Sequence, residues 1–279
     1  MMGAVATPSG RSTNFFWPFR NRSIRTQLAL LVLVFTLPAF GAVILYLVNE
    51  RVRDRDFALG RIRLLAANTA DHLQASLDDY QTSLALIANR SSVKAMDRGV
   101  CDPLIGDFIR LDPRTLTIAT RDLNGAPVCS YRVQPPTREQ MVEFPWFRQA
   151  VDQEGFRASD VFLAPIPRRW STVLTTPIRD GQGAQAGLVV LPLDLLSWNE
   201  RIVQRVPSDA LVSVLDRQHR ILLYSQEAPN WIARPVSEQL PALRAADMQG
   251  AGGTISVADA MGVHRIFVWQ RMPQTGWIV

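Results

Sequence analysis

The stretch Leu116–Tyr131 reads LTIATRDLNGAPVCSY, and its pattern decides the fold class. Two β-type runs, Leu116–Thr120 and Val128–Tyr131, flank Asp122–Pro127, with Asn124-Gly125 in the middle. Asn and Gly accept the left-handed backbone that a tight turn demands, so the stretch predicts a β-hairpin. The same grammar returns with a different turn sequence: Ala210–Leu215, then Asp216-Arg217-Gln218-His219-Arg220, then Ile221–Ser225.

The segments downstream of the two hairpins are also alike. After the first come a helical stretch, Glu143–Gln153, and β-type runs at Asp160–Leu163, Trp170–Ile178 and Gly187–Leu193, with a turn at Asp180–Gly183. After the second come a helical stretch, Val236–Ala246, then Gly253–Val257, a turn at Ala258–Gly262, Val263–Gln270 and Thr275–Val279. A repeat this long predicts two copies of one α+β module, 91–200 and 201–279. A helical connector over Leu196–Val206 marks the join.

Upstream, residues 49–90 read as one long helix. Ile62, Leu65, Thr69, Leu73, Ser76, Tyr80, Leu84 and Ile87 recur at three- and four-residue steps, uninterrupted by Pro. About 40 residues would reach about 60 Å. One narrow apolar stripe on so long a helix pairs either with the helix of a second copy, giving a homodimer, or with its own domain. Before it, Leu28–Val48 reads LALLVLVFTLPAFGAVILYLV, without a charge. A helix of that length, about 31 Å, matches a bilayer core, and Pro38 and Gly41 are tolerated there. A cleavable leader has a shorter apolar run and a small-residue cleavage site, which Leu47-Val48-Asn49 does not supply. The expected order is therefore a basic tail (1–27), a transmembrane helix (28–48), the long helix (49–90) and the two modules.

The net charge of +5 suggests nucleic acid until the cations are inspected. Lys94 is the only lysine; the rest are arginines scattered among acids, so no nucleic-acid partner is expected. His72, His219 and His264 are isolated, and no phosphate-binding loop, nucleophile elbow or metal-ligand spacing occurs. Neither a cofactor, a metal nor a catalytic residue is expected. Cys101 and Cys129, 28 positions apart, read as a disulfide of an oxidising compartment or as two unrelated buried thiols.

The order of these features resembles the extracytoplasmic double-Cache (PAS-like) sensor region of bacterial transmembrane receptors. The resemblance covers roughly residues 28–279 and is carried by the membrane helix, the long helix and two modules. Locally it rests on Asp122-Leu123-Asn124-Gly125 with Cys129-Ser130, Pro145-Trp146-Phe147 with Ala150, and Ser159-Asp160-Val161-Phe162. Thr176-Pro177-Ile178, Gly187-Leu188-Val189-Val190 and Thr275-Gly276-Trp277 continue it. It implies five-stranded antiparallel sheets flanked by helices, with the membrane-distal module binding a small ligand and the proximal one relaying the signal.

By that resemblance the pocket lies between sheet, loop and short helix. Trp146 and Phe147 would come from the helix and Phe162 from the loop; Trp170, Thr172 and Leu174 would share one face of a strand. Arg148, Arg157, Arg168 and Arg169 are the nearby cations, suited to gripping a carboxylate. Core packing for the aromatics and a solvated surface for the arginines are the competing readings. Amino-acid-binding members carry Arg where this chain has Phe144, and Tyr at Phe147 and Phe162. Their late aspartate falls nearer Pro192 than Asp194. The amino-acid motif is therefore not met, and a carboxylate or a more apolar ligand is expected at least as readily as an amino acid, with Asp194 kept as a candidate contact.

The functional expectation is the ligand-sensing portion of a receptor in the bacterial inner membrane, with a cytoplasmic N-terminus and residues 49–279 periplasmic. It would signal to a cytoplasmic output domain absent from this sequence, a histidine kinase first and a diguanylate cyclase second. A membrane-tethered periplasmic binding protein without output is the alternative. The second module is expected to be incomplete at its C-terminus.

Overall fold

The computed structural model describes residues 24–131, 135–204, 206–207, 210–241, 243, 248–258 and 263–279. Most of the basic tail, most of the Ala258–Gly262 turn and the end of the Val236–Ala246 stretch lie outside the described residues. The chain divides into two units, Met1–Phe57 and Ala58–Val279.

Helix α1 spans Ile24–Ala88 and includes Pro38. Within the first unit its apolar window has a mean hydropathy of 2.7 with none of it buried. Leu31, Phe35 and Phe40 are all exposed, which suits a lipid-facing surface. Within the second unit the helix behaves differently. Leu73, Leu77, Tyr80, Leu84 and Ile87 are buried in the main core, so the stripe is spent at least in part on its own domain.

After α1 come α2 (Ser91–Lys94) and α3 (Pro103–Leu111), then the hairpin β1 (Ile118–Asp122) and β2 (Pro127–Tyr131). Next are α4 (Arg138–Glu143), α5 (Pro145–Asp152), the short strands β3 (Arg157–Ala158) and β4 (Phe162–Leu163), and the long pair β5 (Trp170–Arg179) and β6 (Gln185–Asp194). The predicted helix Glu143–Gln153 is thus broken. Pro145 forces Phe144 into an extended conformation (φ −72°, ψ 123°), ending α4 and starting α5. The strands form one antiparallel sheet ordered β2-β1-β6-β5-β3, with β4 also on β5.

The chain continues through α6 (Leu195–Val203), β7 (Ser213–Leu215), β8 (Ile221–Tyr224), α7 (Ala228–Trp231), α8 (Val236–Gln239), β9 (Gly252–Ala258) and β10 (His264–Gln270). The hairpins β7-β8 and β9-β10 are joined by the final residues. Ile278 bridges Leu215 on one side and Arg271 on the other, and Val279 exchanges two hydrogen bonds of 2.9 Å with Gln270. Trp198 of α6 and Trp277, both fully buried, meet edge-on at 6.1 Å in the core beside them.

A polar cluster ties the long helix to the segment between α3 and β1. The Tyr80 hydroxyl donates to Asp112 at 2.6 Å, and Arg114 grips the same carboxylate at 2.6 and 2.8 Å. A covalent tie lies nearby: Cys101 and Cys129 form a disulfide with Cα atoms 5.5 Å apart, fastening the segment before α3 to β2.

Candidate functional site

The two faces of the first sheet carry different chemistry. Ile118, Leu174, Val189, Leu191 and Leu193 point to the α1 side and join the main core. Alternation sends Val173, Leu188 and Val190 to the other face, where Met141 of α4 and Phe147 and Ala150 of α5 form a smaller core. That second core does not fill its space. It leaves a cavity of about 50 Å³ above Ala119, Arg121, Val173 and Val190. Phe144, Trp146 and Phe162 wall it, and Ala164-Pro165-Ile166 and Pro135-Pro136 form the rim.

The three wall aromatics touch one another. Phe144 stacks on Trp146 at 5.9 Å, Phe162 meets Phe144 edge-on at 5.9 Å, and Trp146 and Phe162 are 6.0 Å apart. The Trp146 Nε1–H is buried and has no partner among the described residues. It is a donor kept from water beside a cavity, which favours a ligand acceptor or a trapped water.

Arg121 is the only charged side chain lining this cavity among the described residues. Its relative exposure is 1%. Its Nη1 donates to the Gly125 carbonyl at 2.7 Å and its Nη2 to the Pro136 carbonyl at 3.1 Å. Burial pushes its pKa down to about 10, and Asp122 partly opposes that shift. The group therefore remains a cation at neutral pH.

The sequence-predicted site residues divide sharply. Trp146 and Phe162 line the cavity. Phe147 lies beneath it in the small core, 6.0 Å from Trp146. Thr172 and Leu174 face away from it, because the α1 side of β5 claims the even-numbered positions; the Thr172 hydroxyl donates to the Ser159 carbonyl at 2.7 Å. Trp170, Thr172 and Leu174, expected on one ligand-facing side, are thus not among the residues lining the cavity, whereas Val173 is. Trp170 is 40% exposed at the start of β5 and paired across to Leu163. Arg169 and Asp194 bind each other as an ion pair, and Asp194 also caps α6 through the Leu196 amide at 3.2 Å. Neither lines the cavity. Arg148 is exposed and donates to the Glu143 carbonyl at 3.4 Å. Arg157 lies in a separate cleft of about 10 Å³ that Trp146 also lines.

The loop that supplies Phe162 is tied to the second sheet system. The Val161 amide donates to Asp216 at 3.1 Å, and Arg220 donates to the Val161 carbonyl. Arg217 donates to Asp160 at 2.8 Å and to the Ala158 carbonyl at 3.3 Å.

No protein-family model matches the chain, and no curated protein does. Solved structures do. The extracellular domain of the "putative histidine kinase rpHK1S-Z16" has 13% identity and a TM-score of 0.62, over 79% of this chain and 92% of that one. The ligand-binding domain of the Pseudomonas aeruginosa PAO1 amino acid chemoreceptor PctB, in complex with L-Gln, has 15% identity and a TM-score of 0.59, over 78% and 87%. That of the Pseudomonas fluorescens chemoreceptor CtaA, with L-serine, has 13% identity and a TM-score of 0.60, over 80% and 96%. The chain therefore has the α+β fold of these extracellular and ligand-binding domains of a histidine kinase and chemoreceptors.

Proposed function

We propose that this chain is the extracytoplasmic ligand-sensing portion of a membrane signal-transduction receptor. The observation that carries the reading is the walled cavity on one face of a sensor-fold sheet, with its Phe162 wall one residue from a hydrogen-bonded link to the second sheet system. A ligand that closes on Phe162 pulls on Val161. That in turn loads the Asp216–Arg220 turn. A ligand shifts such an equilibrium only by its differential affinity for the two arrangements.

The division into a ligand-binding module (91–200) and a relaying module (201–279) belongs to this reading. So do the periplasmic location of residues 49–279, a cytoplasmic N-terminus and pairing of long helices in a homodimer. The disulfide supports an oxidising compartment, and the exposed apolar helix supports a membrane anchor. A histidine kinase is the first choice of output, because one of the fold neighbours bears that name. A diguanylate cyclase or a tethered binding protein without output is the alternative. The ligand is a small molecule with a carboxylate, as are the L-Gln and L-serine held by the neighbours.

The test is a thermal-shift screen of the full chain in detergent against small carboxylates, amino acids and amines. A specific ligand raises the melting temperature with concentration. Trp146→Ala should keep the fold and lose the shift. A shift that survives both Trp146→Ala and Phe162→Ala would place binding elsewhere.

A further inference from the structure

We propose that Arg121 is the anion-recognising residue of this cavity and that the cavity takes a short apolar monocarboxylate in preference to an α-amino acid. The inference rests on the sensor reading above and deepens it.

The first ground is the state of the guanidinium. It donates to two neutral carbonyls, those of Gly125 and Pro136. An arginine has five N–H donors, so three remain for a ligand. Among the described residues no carboxylate lies within salt-bridge distance of it. The adjacent Asp122 is turned to the hairpin, accepting from the Asn124 and Ala126 amides at 3.0 and 2.8 Å and from Arg98 at 3.2 Å. A buried cation with no carboxylate in contact is unfavourable, and a bound carboxylate supplies that contact in the geometry a guanidinium fork prefers.

The second ground is the rest of the wall. Among the described residues no Asp or Glu lines the cavity. Asp194, the nearest candidate by sequence, is held by Arg169 and caps α6. Besides Arg121 and the Trp146 indole, the polar side chains lining it among the described residues are Thr117 and Ser130, so an α-ammonium group would meet no anion and would lie beside a cation that repels it. An alkyl tail instead meets Val173, Val190 and Phe144.

The third ground is size. The cavity of about 50 Å³ compares with the roughly 10–15 Å³ that one water needs, so it has room for a molecule of a few non-hydrogen atoms. Propionate and butyrate fit that description.

The experiment is isothermal titration calorimetry on the full chain in nanodiscs at pH 7. The ligands are propionate and butyrate, each compared with its α-amino acid (alanine, 2-aminobutyrate) and its neutral amide. The expected result is that the carboxylates bind at least tenfold tighter than either analogue, and that Arg121→Gln weakens the carboxylates at least tenfold. The amide and amino-acid comparisons use the native chain, so they decide the question even if Arg121→Gln fails to fold. Amino acids binding more tightly than the carboxylates would overturn the inference and leave the sensor reading standing. Carboxylate binding lost in Trp146→Ala but unchanged in Arg121→Gln would do the same. Absence of binding by every member of the wider ligand screen would remove both.

Discussion

The hairpins β1-β2 and β7-β8 are built alike, and one position separates them. In each, an aspartate opens the turn and accepts from the amides two and four residues on: Asp122 from Asn124 and Ala126, Asp216 from Gln218 and Arg220. In each, the third residue after the aspartate has a positive φ, +84° at Gly125 and +59° at His219. In each, the strand register shifts just before the aspartate, at Thr120/Arg121 and at Val214/Leu215. The residue preceding the aspartate is Arg121 in one and Leu215 in the other, both buried. Leu215 joins the core and bridges Ile278, as a strand residue of a closed sheet does. Arg121 sits at the equivalent place beside a cavity. Where one backbone serves twice, the position that departs from hydrophobic packing is the one beside the cavity.

The two aspartates test how far the likeness goes. Asp216 is fully buried and holds the Val161 amide at 3.1 Å and Arg220 Nε at 3.0 Å in addition to its turn amides. Removing it in Asp216→Ala leaves the Arg220 cation without its counter-charge and three amides without an acceptor. The expected loss is about 3–5 kcal/mol, read as a fall in the urea midpoint. Asp122 keeps a quarter of its side chain exposed, so water replaces it in part. Asp122→Ala should cost about 1 kcal/mol. Equal losses would mean that the link through Val161 contributes little.

The turn glycine gives the next contrast. An added Cβ at Gly125 would carry the left-handed conformation and sit 3.2 Å from two Met141 side-chain atoms. Gly125→Ala should therefore cost about 1–2 kcal/mol. His219 already carries a Cβ at the same point of its turn, so His219→Ala should stay within about 0.5 kcal/mol. Melting temperatures of the two variants, measured side by side, check the pair.

Both hairpins were legible in the sequence, although Asn124-Gly125 and His219-Arg220 concealed a shared turn geometry. The stripe of the long helix was largely legible as well, with Leu77 rather than Ser76 taking the buried place. The face that carries the cavity was not. Ser171 to Thr176 are buried without interruption, so β5 shows no alternation of polar and apolar residues from which to choose a face. Only the position of α1 decides it, and that is tertiary information. Arg148 and Arg169 draw attention because they lie near the helix and loop motifs. Arg121 does not, because between Thr120 and Asp122 it reads as the edge of a turn. Its signal is the parity of β1: Ala119 and Arg121 share the side opposite Ile118.

The smallest effect expected carries the most information, because its sign separates site from scaffold. Arg121→Leu gives the first hairpin the residue that the second carries before its aspartate. If Arg121 were structural, the loss of its bonds to Gly125 and Pro136 would lower stability, as removing one partner of a buried polar contact does. If it is held for a ligand, the ligand-free chain bears a buried charge with no carboxylate in contact. Replacing that with an apolar side chain relieves desolvation, and stability should hold or rise by up to about 1 kcal/mol. Carboxylate binding should disappear in the same variant, the trade expected where a site is kept at the expense of stability. Urea unfolding without ligand, paired with calorimetry using propionate, reads both quantities. A destabilised variant that still binds propionate would make Arg121 a packing residue and return the search for the cation to Arg157, across Trp146.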